Sequence, residues 1–143
     1  MELDWFAGDA ADDSEHFTAQ AFFAYQLRER GLSLGELAIA PRTLITFQRF
    51  LYAHALHCTG AVESVDWARF NRHPLAGGRW CGEEVAIVLA PVCAPAAIMY
   101  LELLAAGGVQ SVIAVGAAGS LQAYAPLGAA VLPTSAIREE GTS

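Results

Sequence analysis

Hydrophobic and polar positions along this chain recur with helical spacing in three segments. Residues 17–30 form an apolar stripe, and Gly31 follows as a residue suited to end a helix. A second helix is predicted over 48–58, ended near Gly60. A third is predicted over 95–106, because it opens on a proline and stops before two glycines.

The segments between these helices have the composition of strands. The predicted strands are 44–47, 62–70, 78–90, 111–115 and 129–132. A turn is expected around 74–78, and the run 85–90 is apolar throughout, as in a strand buried on both faces. The order strand, helix, strand from 85 to 115 is a βαβ unit, which predicts parallel neighbouring strands with a right-handed connection. The pattern therefore predicts an α/β domain.

Composition supports one packed domain, or part of one. The chain has 143 residues, of which 55% are hydrophobic and 16% charged, so it is not a disordered sequence. Residues 1–16 carry Asp9, Asp12 and Asp13 close together and are expected to form a flexible acidic tail. Residues 17–143 are then the domain itself.

The charge and the cysteines exclude several classes of protein. The net charge is −7 and all eight basic residues are arginines without a cluster, so nucleic acid is not an expected partner. No apolar run reaches the ~18 residues needed to span a bilayer, and the acidic N-terminus does not resemble a signal peptide. Cys58, Cys81 and Cys93 form no CxxC pair, so neither disulfides nor a zinc site are indicated. A cytoplasmic protein with free thiols is expected.

One pair of histidines has a spacing that is typical of metal ligands. His54 and His57 lie three residues apart on the second predicted helix, which places them on one face. No third ligand accompanies them, so a packed or surface pair is the favoured interpretation and no metal is expected.

The turn at 90–95, with the sequence APVCAP, is the first candidate site. Ligands of parallel sheets bind at the carboxyl ends of the strands, where a following helix offers free N–H groups to anions. The alternative is an ordinary connection between strand and helix. Taken alone the residues favour that alternative, because anion loops usually rely on glycine for close backbone approach.

The turn at 116–120 is the second candidate site. Gly116, Ala117 and Gly119 follow a buried strand, and their small size lets a ligand approach the backbone. Small residues also allow close packing between elements, and the two interpretations carry equal weight.

The polar segment 138–143 is the third candidate site. Arg138 could pair with an anion, while Glu139 or Glu140 could accept hydroxyl protons or hold Arg138 in place. Charged residues are mostly exposed, so taken alone this segment is better interpreted as solvated surface.

The chain from about residue 85 onward resembles the nucleoside phosphorylase superfamily. The segments that carry the resemblance are VAIVLAPVCAPAA, the strand ending in VGAAGSLQ and the closing PTSAIREEGTS. A weaker similarity extends back to residue 17. The resemblance is strongest toward bacterial uridine and purine nucleoside phosphorylase-like proteins. It implies a three-layer α/β fold with a mixed central sheet and a homo-oligomer. It also implies phosphorolysis of the N-glycosidic bond of a nucleoside, with phosphate as co-substrate and no cofactor. The substrate and phosphate residues it implies are Gly116, Ala117, Gly119, Arg138, Glu140 and Gly141.

The sequence departs from the superfamily pattern where phosphate is bound. The usual Gly-Asp-Pro-x-Arg loop is replaced by APRTLITFQ, in which Arg42 and Gln48 are loose substitutes. Ala114 and Ala117 replace an arginine and a hydroxyl residue. Two alternatives therefore stand beside phosphorolysis, a nucleoside hydrolase without the phosphate site and a non-catalytic remnant serving as an oligomerisation module. A generic nucleotide-binding domain ranks last, because GxGxxG and P-loop motifs are missing.

The resemblance also carries an expectation about length. In the superfamily the residues that recognise the base and grip the ribose lie in the second half of the fold. We therefore expect residues 17–143 to be the N-terminal portion of a phosphorylase-like domain, apparently truncated, that works with a C-terminal half or a partner.

Overall fold

The centre of the molecule is a five-stranded mixed sheet. The computed structural model describes residues 18–37 and 39–137. Its strands run in the spatial order β2-β3-β4-β1-β5. Their bounds are β1 Arg42–Thr46, β2 Val62–Glu63, β3 Leu75–Trp80, β4 Glu83–Leu89 and β5 Ser111–Val115. β1 pairs in parallel with both β4 and β5, whereas β3 is antiparallel to β4 and to β2.

Helices cover both faces of this sheet. They are α1 Ala19–Arg30, α2 Leu34–Leu37, α3 Arg49–Thr59, α4 Val65–Phe70 and α5 Ala94–Ala106. α3 packs on one face, while α1, α4 and α5 pack together on the other. The predicted three-layer α/β fold with a mixed sheet is therefore confirmed. None of the helices within the described residues is long and apolar enough to cross a membrane.

Neighbouring residues of each central strand contribute to opposite cores. Leu44 and Ile87 belong to the α3 side, whereas Ile45 and Val88 belong to the side of α1, α4 and α5. This alternation follows from the two-residue period of a strand. It explains the apolar composition of β4, since both faces of that strand are covered. The expectation that 111–115 is a buried strand is wrong, because β5 is an edge strand and all five of its residues are exposed.

Trp67 forms the centre of the larger core. Its side chain is fully buried, and its ring centroid lies 5.2 Å from that of Phe70 and 6.1 Å from that of Tyr100. Its indole N–H donates to the His73 carbonyl at 2.7 Å. Aromatic contacts of this kind add to the free energy gained by burial. The bonded indole avoids the cost of a buried donor without a partner.

The long helices agree with the sequence predictions. α1 begins after Thr18, whose hydroxyl accepts from the Ala21 N–H, and ends at Gly31 in the left-handed conformation. α3 ends at Gly60, also left-handed. α5 begins one residue before its predicted start and ends at its predicted residue. The cap residues thus fix these boundaries locally.

The predicted strand over 62–70 is wrong beyond its first two residues. β2 stops at Glu63, and α4 follows. The Ser64 hydroxyl accepts from the Trp67 N–H at 3.0 Å, which caps this short helix. Trp67 and Phe70 then lie three residues apart and are both buried, a helical spacing that the apolar composition had hidden.

The turn predicted at 74–78 is also wrong, because that segment lies mostly within β3. The chain reverses instead at Cys81 and Gly82, between β3 and β4. Both residues have positive φ, 49° and 84°, as a two-residue type I′ hairpin requires. Residues 78–90 are therefore the end of one strand, a turn and a second strand.

Two expectations about strand neighbours need correction. β4 and β5 are parallel as predicted, but they are not adjacent, because β1 lies between them. The strand predicted over 129–132 does not form, and Val131 and Leu132 are exposed. No strand within the described part of the chain pairs with these residues, and an extended segment without such pairing has no ladder to stabilise it.

The predicted tail 1–16 and the candidate residues Arg138, Glu140 and Gly141 lie outside the described residues.

The Cys81 backbone yields a prediction about hairpin stability. Replacing Cys81 with Asn should raise the free energy of unfolding by about 0.5–1 kcal/mol, because Asn tolerates the left-handed conformation better. Urea denaturation measures the change. The matched control is Cys58→Asn on α3, where the two residue types have similar helix propensity and little change is expected. Equal effects at both positions would contradict the assignment of strain to Cys81.

Gly78 yields a second prediction, because a side chain there has no room. A Cβ at this position would lie 2.7 Å from the Ala61 Cβ, whereas one at Gly77 would meet nothing within 4 Å. Gly78→Ala should therefore lower the free energy of unfolding by roughly 1–3 kcal/mol, the usual cost of overpacking. Gly77→Ala is the neighbouring control. A loss of the same size for both variants would show that close approach to Ala61 is not the cause.

Candidate functional site

The parallel strands end together at one edge of the sheet. β1 aligns Ile45 with Val88 of β4 and with Ala114 of β5, and the Ala90 N–H donates to the Thr46 carbonyl at 2.9 Å. The turns after β4 and β5 therefore flank the end of β1. This carboxyl edge is where open α/β sheets bind ligands, so the two predicted turns lie on a common edge.

The turn after β5 adjoins the end of β1. A Cβ placed on Gly116 would lie 3.8 Å from the Phe47 ring, an ordinary contact distance. Gly116, Ala117 and Gly119 are exposed, so their backbone is open to a ligand. The Ser120 hydroxyl bonds within the turn, to the backbone of Gln122. The turn therefore offers backbone groups to a ligand more readily than its serine side chain.

Gln48 places an unusual polar atom at the end of β1. Its N–H donates to the Thr46 hydroxyl at 3.3 Å, but its side-chain Oε1 is buried and has no hydrogen-bond partner within the described part of the chain. A buried acceptor without a partner is costly in a folded protein. Gln48 thus places a buried acceptor without a partner at the end of β1, within the described part of the chain.

The turn after β4 leads into the N-terminus of α5. No side chain caps this helix, Pro95 occupies its first turn and the Ala97 N–H bonds to the Cys93 carbonyl. The first-turn N–H groups of Ala94 and Ala96 lack helical acceptors, as at any helix start. Thirteen residues of α5 direct the positive end of the helix dipole toward this turn, which favours an anion there.

Cys93 has a strained backbone at this helix start. Its φ is 98° and its ψ 147°, a combination that only glycine adopts readily. The sequence places Cys93 where a glycine would suit the turn, so the strain comes from the side chain. The backbone nevertheless keeps the conformation that positions the start of α5.

A second group of polar residues reaches the same edge from β3. The Leu89 N–H donates to the Pro74 carbonyl at 3.2 Å, because β3 runs antiparallel to β4 and starts where β4 ends. Asn71, Arg72 and His73 consequently lie near the turn after β4. With Pro91, Val92 and Tyr100 they line a cavity of about 750 Å³ between α1 and α5.

Hydrogen bonds and burial fix the electrostatics of this cavity. The His73 carbonyl accepts from the Trp67 indole at 2.7 Å and from the Tyr100 hydroxyl at 3.3 Å, which holds the loop in place. Burial, with a smaller contribution from the Arg72 charge, lowers the pKa of His73. Burial raises the pKa of Tyr100. Both side chains are therefore neutral near pH 7. Arg72 is exposed and forms no ion pair among the described residues.

The sequence predicts the two turns but gives no sign of a role for Arg72 and His73. The cause was the misplaced strand over 62–70, which hid the short α4 and the true start of β3. Ser64, with Trp67 three residues later, is the pattern that would have revealed the helix and placed residues 71–73 at the edge.

Comparison with known proteins agrees with this geometry. Residues 53–143 match the family model of the phosphorylase superfamily. The chain belongs to the phosphorylase superfamily. Because the match includes β4, α5, β5 and the turn at 116–120, both turns belong to the matched part. A search of curated proteins found no match.

Solved structures of the superfamily share the fold. A uridine phosphorylase from Vibrio fischeri ES114 superposes with a TM-score of 0.54 at 20% identity, over 62% of this chain and 36% of its own. The same enzyme complexed with 6-hydroxy-1-naphthoic acid gives a TM-score of 0.51 at 20% identity, over 59% and 34%. The match thus covers about a third of the uridine phosphorylase chain.

The strain at Cys93 yields a prediction. Cys93→Gly should raise the free energy of unfolding by about 1 kcal/mol, because relief of roughly 1–3 kcal/mol of backbone strain exceeds the entropic cost of glycine. Cys93→Ala is the control, since it removes the thiol but keeps a Cβ, and no gain is expected. Thermal and urea unfolding measure both. A gain in the alanine variant would attribute the effect to the thiol and contradict backbone strain.

Proposed function

We propose that this chain forms the phosphate-binding edge of a nucleoside phosphorylase-like enzyme, which cleaves the N-glycosidic bond of a nucleoside with phosphate. The observation that carries the proposal is the junction of three chain segments at one carboxyl edge, in a sheet of the phosphorylase superfamily. These segments are the end of β1 and the turns after β4 and β5.

Phosphate would be held mainly by backbone groups and one arginine. The N–H groups at the start of α5 and the backbone around Gly116, Ala117 and Gly119 supply donors without side-chain charge. Arg72, unpaired within the described residues, supplies a positive charge beside the turn after β4. This set would compensate for the alanines at 114 and 117, where the superfamily pattern has an arginine and a hydroxyl.

The closing segment is proposed to complete the rim of the site. Arg138 would pair with phosphate or a base carbonyl, Glu140 would accept a hydroxyl proton and Gly141 would allow close approach. These roles follow from the resemblance of the segment to the superfamily.

In the reaction, a phosphate oxygen forms a bond to the anomeric carbon of the ribose while the bond to the base nitrogen breaks. The electron pair of that bond leaves with the base, which takes up a proton. The transition state is oxocarbenium-like, so a fixed anion beside the sugar stabilises its positive charge. This chain would bind and orient the anion, and no cofactor beyond phosphate is proposed.

Recognition of ribose and base is proposed to come from protein outside this chain or beyond residue 143. Exposed apolar side chains at Leu121, Leu127 and Leu132 offer a surface to such protein. Assembly as a homo-oligomer and action in the cytoplasm belong to this proposal.

The altered turns favour two alternatives. Pro91, Val92, Ala114 and Ala117 offer no charged or hydroxyl side chain, which is consistent with a nucleoside hydrolase that uses water in place of phosphate. It is equally consistent with a non-catalytic oligomerisation module that keeps only the scaffold.

The test is release of free base from uridine, inosine and adenosine, with and without phosphate, together with phosphate binding. Release that depends on phosphate supports the proposal, and release without phosphate supports the hydrolase. A folded sample that binds phosphate without releasing base supports the proposal that ribose and base are recognised by protein outside this chain or beyond residue 143. A folded sample that neither binds phosphate nor releases base contradicts the proposal and favours the non-catalytic module.

Arg72 provides the sharpest variant. Arg72→Gln should weaken phosphate binding about tenfold, because an exposed charge-assisted hydrogen bond contributes near the lower end of ~1.5–3 kcal/mol. Arg79→Gln is the control, since Arg79 lies beside the β3–β4 hairpin at the opposite edge and is expected to leave the affinity unchanged. Titration calorimetry measures both. Equal affinities for the two variants would remove Arg72 from the site.

A further inference from the structure

The sheet carries an open groove at the opposite edge, where the parallel strands begin. α3 packs over β3, β4 and β1, while Ile113 of β5 remains 69% exposed. The uncovered space has a volume of about 590 Å³. Its main lining residues are Leu44, Ala55, Cys58, Trp80, Ile87 and Ile113. The groove thus has the size and apolar walls of a small-molecule site.

A thiol and an imidazole face each other in the wall of this groove. His54 and Cys58 lie one turn apart on α3, and His54 Nε2 is 3.5 Å from Cys58 Sγ. Both residues line the groove and both are exposed. With the proton on Nδ1, His54 Nε2 accepts the S–H proton and leaves the sulfur as the nucleophile.

We propose that Cys58 is a covalent capture site for apolar α,β-unsaturated aldehydes and ketones, which the groove binds before the thiol reacts. The site does not depend on the proposed phosphorylase function, because it lies at the other edge of the sheet and shares no residue with it.

The step balances without a further reactant. His54 takes the thiol proton, and the Cys58 sulfur forms a bond to the β carbon of the conjugated carbonyl. The electron pair of the carbon–carbon double bond moves toward the carbonyl as an enolate. The imidazolium then returns the proton to the α carbon, so the product is a neutral thioether and nothing is oxidised.

The groove selects this ligand class by its chemistry. Leu44, Ile87 and Ile113 favour an apolar body. Arg42 and Ser111 lie at the first positions of β1 and β5 and offer donors to a carbonyl oxygen, although Arg42 also pairs with Glu83. A metal ion is the weaker candidate, since the described residues contain no cluster of three or more His, Cys, Asp or Glu.

The experiment compares three cysteines of one molecule. Cys93 is also exposed and lies outside the groove, so it serves as the internal reference for Cys58, whereas the exposed Cys81 lines the groove without a histidine partner among the described residues. The protein is treated with trans-2-nonenal, which is apolar, or with acrylamide, which is a small polar acceptor, and adduct formation at each cysteine is followed by peptide mass spectrometry. Nonenal should label Cys58 about tenfold faster than Cys93, a preference below the usual 10²–10⁴ for general-base catalysis because the pair is exposed. Acrylamide should show less preference.

Two histidine variants distinguish activation of Cys58 by His54 from reactivity that follows from exposure alone. His54→Gln should remove the preference for Cys58, whereas His57→Gln on the same helix should leave it unchanged. Ile113→Gln should reduce labelling by nonenal but not by acrylamide, because it alters the groove and not the dyad. Unfolding of a variant would make the labelling rates of all three cysteines equal, and circular dichroism would detect such unfolding. The proposal is overturned if Cys58 reacts no faster than Cys93, if His54→Gln behaves as the unchanged protein, or if both acceptors show the same preference.

Discussion

The parallel pairing of β1 with both β4 and β5 is the constraint on which the rest of the structure depends. Parallel strands in register must end at the same edge, so one ladder of hydrogen bonds brings three distant chain segments together. The bond from the Ala90 N–H to the Thr46 carbonyl extends this ladder past the end of β4. The start of α5, Gln48 and the glycine turn after β5 are neighbours for this reason, and the proposed anion site rests on that arrangement.

The antiparallel part of the sheet extends the same edge in the other direction. The chain reverses direction at Cys81 and Gly82, so β3 and β4 are antiparallel and the start of β3 lies beside the end of β4. Arg72 and His73, which precede β3, therefore lie at the carboxyl edge. Trp67 links this loop to the core, since its buried indole holds the His73 carbonyl. The Tyr100 hydroxyl donates to the same carbonyl, so two aromatic residues of the larger core hold the loop in place.

The sequence predicts the elements whose limits are encoded locally. α1, α3 and α5 have proline or glycine at their ends, and apolar runs identify β1, β4 and β5 as strands, although β5 is exposed. The segment 62–80 was mispredicted because Val62, Val65, Trp67 and Phe70 suit a strand as well as a helix, and only the Ser64 cap separates the two. The strand order could not be predicted from local sequence patterns, since nothing near residues 85–115 indicates that β1 lies between β4 and β5. The edge position of the two turns was predicted, whereas the Arg72 loop depended on the missed start of β3.

The phosphate site at the carboxyl edge can be tested by titrating ¹⁵N-labelled protein with phosphate and following the amide chemical shifts, with chloride at matched ionic strength as the reference. We expect saturable shifts at the amides of Ala94, Ala96 and residues 116–120, with little change around the β3–β4 hairpin at the opposite edge. Shifts that do not saturate, or that spread equally over both edges and match chloride, would contradict a phosphate site at the carboxyl edge.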